Sequence, residues 1–351
     1  MNERIPVHVL TGFLGSGKTT LLRHVLTSPG FADCAVLVNE FGEIGLDHHL
    51  IADVQGDALL MQSGCICCTI RGDLAGAIRG LYARHERGEA TFARLVVETT
   101  GLADPTPILA TIMHEPQIRH HFRLGSVLTT VDAVNGSVHL DRQPESVKQA
   151  ALADRIIITK TDLVAPAETR ALEARLVRLN PSARRWLSAN TPPSAAVLLA
   201  EATPGPDSRA AETAAASEAE HVHAGHHHDV NRHDARIHAF TLSFDARIDW
   251  NVFAIWFTLL LHAHGGDVLR VKGLLGATGA TGPVVINAVQ HLMHPPVHLD
   301  AWPEDWQQSR LVFIVRDLAR EDIERSFEAF QAAFGTTRAS RSPSAMSLKM
   351  A

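Results

Sequence analysis

The chain has 351 residues, 46% of them hydrophobic and 20% charged, and a formal net charge of −6 at pH 7. That length exceeds one small domain, so two domains of unequal size are expected, and the hydrophobic content allows a sizeable core. With no basic stripe and no apolar run of spanning length, nucleic acid, anionic membrane surfaces and a transmembrane role are excluded as expectations.

Residues 7–10 read as a short apolar strand that runs into a Gly-rich loop. Residues 19–27 follow as a helix whose buried side is Leu21, Leu22, Val25 and Leu26. Further strands are predicted over 35–39, 95–98, 126–132 and 155–159. These are continuous Val/Ile/Leu runs, which mark strands covered on both faces. Separated by helical stretches, they predict an α/β domain with a mostly parallel sheet over residues 1–200. From 201 to 235 the composition shifts to Ala, Glu, Pro, Ser and His, a flexible His-rich linker. A smaller α+β domain is expected over 236–335. It runs strand (Phe240, Leu242, Phe244), helix (Trp250, Phe253, Phe257, Leu260, Leu261), strands at 268–271, 283–292 and 310–315, and a closing helix carrying Ile323, Phe327 and Phe330. That order is compatible with a ferredoxin-like arrangement. Residues 336–351 read as a disordered tail.

The start of the chain lacks the charged-then-apolar layout of a signal peptide, so a cytoplasmic location is expected. In that reducing compartment four Cys do not suggest a disulfide framework.

Residues 12–19 match G-x-x-x-x-G-K-[ST] in full, between a strand and a helix as the motif requires. Gly12, Gly15 and Gly17 let backbone N–H groups face phosphates, and the helix N-terminus adds positive potential. Ser16, Lys18, Thr19 and Thr20 complete the phosphate set. Lys18 reaches the β- and γ-phosphates, and the Thr19 hydroxyl is a Mg²⁺ ligand. Glu98 ends the third strand, where a carboxylate can organise Mg²⁺ or the attacking water, so Lys18 and Glu98 are the catalytic candidates. Thr159-Lys160-Thr161-Asp162 follows the fifth strand. The Asp162 carboxylate can accept from guanine N1–H and N2–H₂, a donor pair that adenine lacks, so it selects GTP. Lys160 lays its stem along the base plane, and Ser188-Ala189 offers a backbone contact to the base.

Three of the four cysteines, Cys65, Cys67 and Cys68, fall within four residues. In an extended segment Cys65 and Cys67 face one way and Cys68 the other. Thiolates favour Zn²⁺ and Cu⁺ and can hold Co²⁺, and two or three ligands with an open position suit a transferable ion. The acidic, Gly-containing loop 39–47 is a candidate switch whose carboxylates could reach Mg²⁺ or the thiol-bound ion. Six of the 21 histidines lie between His221 and His233, a loose collector of divalent metal or a solvated tract. His291, His294 and His298 are read as ordinary sheet and turn histidines.

The segments GFLGSGKTTLL at 12–22, NEFGEIGLD at 39–47, GCICC at 64–68, ETTGLADP at 98–105, VDA at 131–133 and TKTDL at 159–163, in this order, resemble the P-loop GTPases of the CobW subgroup. Residues 269–273, 288–291 and 309–314 look like that family's C-terminal domain. The resemblance implies a SIMIBI-class GTPase fold, weak intrinsic hydrolysis and a role as a metallochaperone, with zinc a common cargo and cobalt the cargo in cobalamin synthesis. It implies that Cys65, Cys67 and Cys68 form the metal site, with Glu40 as an extra ligand. One departure is Thr159, which stands where the base motif usually begins with Asn; Thr is also seen in the family. The resulting expectation is a GTP-dependent metallochaperone, monomeric or homodimeric, that serves a metal-receiving client protein. The alternatives are a passive Zn²⁺ or Co²⁺ buffer and a P-loop small-molecule kinase.

Overall fold

A computed structural model describes residues 4–28, 33–39, 59–60, 66–70, 73–188, 192–200, 237–303 and 308–334. The first domain is built from β1 (Ile5–Gly12), α1 (Lys18–Thr27), β2 (Cys34–Asn39), β3 (Leu59–Leu60), β4 (Ile66–Ile70), α2 (Leu74–Glu86) and β5 (Arg94–Thr99). It continues through α3 (Thr106–His114), α4 (Pro116–His121), β6 (Phe122–Asp132), α5 (Gly136–Arg142) and α6 (Pro144–Leu152). It ends with β7 (Arg155–Thr159), α7 (Pro166–Leu179), β8 (Arg184–Ser188) and α8 (Ala195–Leu198). The described strands form one sheet in the order β3-β4-β2-β5-β1-β6-β7-β8. All neighbours in it run parallel except β3 against β4.

Parallel strands need crossover helices on both faces, and the apolar strand runs predicted from sequence are buried as that requires. Val7, Val9, Val97, Ile156 and Ile157 have no exposed surface. The predicted face of α1 packs against one side of the sheet through Leu21, Leu22, Val25 and Leu26, beside Val36, Val96 and Ile157. On the other side, Ile78, Leu81, Leu109 and Ile112 cover Val7, Val9 and Val97. The phosphate loop, the Glu98 segment and the base motif all leave the carboxyl ends of their strands, where open α/β sheets bind ligands.

The second domain contains β9 (Ile237–Phe244), α9 (Trp250–His264), β10 (Val268–Gly276), β11 (Pro283–Val289), β12 (Leu292–Met293), β13 (Val297–His298), β14 (Ser309–Arg316) and α10 (Arg320–Phe334). Its sheet is antiparallel in the order β12-β11-β10-β14-β9, with β13 also on β11. Helices α9 and α10 cover one face through Phe253, Phe257, Ile323 and Phe327. It shares an antiparallel sheet under two helices with ferredoxin-like folds, but its own connectivity places the second helix last. The strand expected over 283–292 stops at Val289. There Gln290 takes φ 51°, and Leu292–Met293 folds back onto Val289–Ala288.

The two domains share a charged, buried seam. Asp154, at the foot of β7, receives the Arg270 guanidinium and, at 3.2 Å, the Lys272 ammonium from β10. Its other oxygen accepts from Val127 N–H at 2.9 Å, and Arg270 also donates to Leu152 O at 2.9 Å. Leu269, Val289, Leu292 and Ile314 of the second domain join the core cluster of the first.

Candidate nucleotide site

The phosphate loop is shaped by two kinds of constraint. Gly15 and Gly17 adopt φ 70° and 95°, a region that L side chains rarely occupy. Gly12 has no room for a side chain: a Cβ there would lie 2.3 Å from Thr130 Oγ1 and 2.5 Å from Thr130 O. The loop is then tied to the neighbouring strands. Ser16 Oγ and Thr130 Oγ1 are 2.7 Å apart, and Thr99 Oγ1 donates to Thr11 Oγ1 at 2.9 Å. Gly101 brings the segment after β5 against the loop, since a Cβ there would lie 2.6 Å from Leu14 N.

The functional side chains sit on this frame. The Lys18 ammonium donates to Gly12 O at 2.9 Å and Phe13 O at 3.1 Å, so it spans the mouth of the loop. Thr19 Oγ1 donates to Glu98 Oε1 at 3.1 Å. A hydroxyl and a carboxylate meeting at a helix N-terminus form an oxygen donor set of the kind that suits a hard cation such as Mg²⁺. Thr20 is exposed in the first turn of α1.

At the base end, Lys160 is held at φ 56° and donates to Asp132 Oδ2 at 2.7 Å. Asp132 also accepts from Val134 N–H at 2.8 Å and Asn135 Nδ2 at 3.1 Å. Burial would push this carboxyl up, but the bond from Lys160 and those from Val134 and Asn135 outweigh it and hold it below the usual carboxylate range. Asp162 is exposed on the short 3-10 turn Thr161–Leu163. Thr159 Oγ1 donates to Ser16 O at 2.8 Å, which links the base segment to the phosphate loop. Ser188, at the end of β8, pairs in register with Thr159. The structure therefore brings Gly12, Gly15, Ser16, Gly17, Lys18, Thr19, Glu98, Lys160 and Ser188 to one end of the sheet.

The nucleotide-binding domain of the CobW/HypB/UreG family matches residues 6–186, and the C-terminal domain of the cobalamin synthesis protein cobW matches residues 237–331. The chain belongs to the CobW/HypB/UreG family. It is accordingly a P-loop GTPase with an appended CobW-type domain. The zinc chaperone YjiA of Escherichia coli is 31% identical over 325 residues, 92% of this chain and 98% of that one. The crystal structure of Zn(II)-bound YjiA GTPase from E. coli has a TM-score of 0.72 at 29% identity, covering 93% of this chain and 99% of that one. A zinc chaperone CobW from Sinorhizobium sp is 28% identical over 314 residues, 82% of this chain and 85% of that one.

Within this CobW-family chain, Glu40 and Cys65 lie outside the described residues, as do the loop from 40 to 47 and the His-rich stretch. Cys67 and Cys68 are placed by backbone on β4, opposite Val36 and Leu37 of β2. The next β2 residue, Val38, pairs with Thr69 on one side and Glu98 on the other. The cysteine positions are thus one and two register steps from the level of Glu98, two strands away, or about 10 Å across the sheet. Among the described residues, no three His, Cys, Asp or Glu side chains come together to hold a metal. His291 is occupied as a turn residue, its Nδ1 2.8 Å from Leu261 O. A cavity of about 520 Å³ lined by Arg79, Tyr82 and His121 lies beside the start of β6, away from the nucleotide loops.

Asp132 is a site residue that the sequence reading gave no role. Its signal was a carboxylate at the carboxyl end of a buried strand, in register with Thr159.

Proposed function

We propose that this protein is a GTP-dependent metallochaperone that carries Zn²⁺, or Co²⁺, at Cys65, Cys67 and Cys68 with Glu40, and hands it to a client protein. One observation carries the coupling: the strand bearing Cys67 and Cys68 is joined to the strand bearing Glu98 through β2 alone, in register. The chain leaving β2 is the candidate switch segment, so nucleotide and thiols share one short structural path. The names of the relatives, zinc chaperones of E. coli and Sinorhizobium sp, support zinc as the cargo.

In GTP hydrolysis the protein mainly positions groups and stabilises charge, because phosphoryl transfer needs little covalent help. Loop N–H groups and Lys18 would hold the β- and γ-phosphates and meet the charge that develops between them. Thr19 and Glu98 would hold Mg²⁺, which neutralises phosphate charge when bound. Glu98 is also near enough to that corner to orient the attacking water. Asp162 and Lys160 would select the guanine base. Intrinsic turnover is expected to be weak, with the client accelerating it. The protein is expected to act in the cytoplasm as a monomer or homodimer; among the described residues no helix is long and apolar enough to cross a membrane.

Closing a mostly open metal site takes about 5.5 kcal/mol of differential binding, within reach of several γ-phosphate contacts. The test is Zn²⁺ affinity of the full chain, measured without oxygen, with a non-hydrolysable GTP analogue and with GDP. Tighter binding in one state, abolished by Lys18→Ala, is expected. Equal affinities would sink the coupling and leave a passive buffer.

A further inference from the structure

Thr159 stands where the base motif usually carries Asn, and the structure shows what its hydroxyl does. Oγ1 lies 2.8 Å from Ser16 O and 3.4 Å from Val131 O. Both partners are carbonyls, so both demand the hydroxyl's single proton. The rest of the side chain packs on the loop: Cγ2 is 3.4 Å from where a Cβ would stand on Gly17. Ser16 itself is buried and held on its other side by Thr130. Thr159 is therefore spent on the phosphate loop.

Guanine has two faces for recognition. N1–H and N2–H₂ are donors, and Asp162, an acceptor-only group when ionised, suits them. O6 and N7 are acceptors and need a donor. An Asn at position 159 has two amide protons, one for the loop carbonyl and one for a base acceptor. Thr has one. We propose that Thr159 is a positioning residue that ties the base segment to the phosphate loop and has no proton left for guanine N7, so that the base is chosen on its donor edge. This rests on the guanine-binding reading of Lys160 and Asp162.

Nucleotide affinities of the full chain, measured by displacement of a fluorescent GDP, test it. The unaltered protein should bind 7-deaza-GTP, in which a C–H replaces N7, within about twofold of GTP, and ITP, which lacks the 2-amino group, about tenfold more weakly. Thr159→Val should weaken GTP, 7-deaza-GTP and ITP by one common factor of about tenfold, because it strips the loop tie and not a base contact. Thr159→Ser should restore all three. Rejection of 7-deaza-GTP by the unaltered chain, a valine penalty larger for GTP than for 7-deaza-GTP, or no valine penalty would each overturn the proposal. A chain that binds no GTP at all would overturn the guanine reading, and this proposal with it. The 7-deaza-GTP arm needs no variant, so it stands even if Thr159→Val folds poorly.

Discussion

Two Asp-centred ion pairs bracket β6 and β7, and they are built for opposite ends. At the nucleotide end, Lys160 meets Asp132 with the lysine side chain 36% exposed and the carboxylate 2% exposed. At the foot of the same strands, Asp154 meets Arg270 and Lys272 with all three side chains between 1% and 6% exposed. In the first, one partner is within reach of solvent and of a ligand. In the second, the charges are sealed between domains. The accessible pair can serve binding, since Asp132 keeps its bonds from Val134 and Asn135 when Lys160 turns to a ligand. The sealed set can serve only architecture, because a lone charge left there has no water to turn to.

The largest expected effect breaks the seam. Asp154→Asn leaves two buried cations sharing a neutral amide, and should cost about 3–5 kcal/mol of stability in urea denaturation of the full chain. A cost below that of Asp132→Asn would erase the contrast. The next effect is acid sensitivity. His8 is buried, and burial, then the Arg155 charge, lowers its pKa to about 3. Burial, then Arg270, lowers that of His294 to about 4. Both folded values lie below the unfolded value of 6.5. Between 6.5 and those values the unfolded chain takes up protons that the folded chain refuses. Stability present above pH 6.5 is therefore lost as pH falls, by about 1.4 kcal/mol per pH unit for each group. Denaturation midpoints that stay level from pH 7 to pH 5 would contradict this. The smallest expected effect sharpens the other end. Lys160→Met should change stability by less than about 1 kcal/mol, since Asp132 keeps Val134 and Asn135, yet weaken GTP about tenfold. A stability loss matching that of Asp154→Asn would show that the outer pair is also structural.

The sequence revealed these two ends unequally. The phosphate loop was plain because its chemistry needs contiguous residues: glycines at set positions, then Lys18 and Thr19. The base motif was plain because it trails a buried strand. The seam was hidden because Asp154 and Lys272 are 118 positions apart. Each sits in an apolar run that reads as ordinary buried strand, and nothing local says which distant charge will cover it. Asp132 was hidden for a milder form of the same reason, since only the parallel register sets it beside Thr159 and Lys160. The overlong strand at 283–292 hid a tight reversal because Gln290 gives no turn signal of the Gly or Asn kind.

The seam also bears on what counts as a unit of this protein. Cut at the long segment between residues 200 and 237, the chain would give one piece with Asp154 stripped of its cationic partners and another with Arg270 and Lys272 stripped of their carboxylate. Each piece would also bare part of a core that the other completes, through Leu269, Val289, Leu292 and Ile314. Because of this shared seam the full chain is expected to unfold in one transition, and two separate melts would contradict that. The stability of the GTPase half is thereby expected to depend on a domain that supplies Arg270 and Lys272 from outside its own sheet.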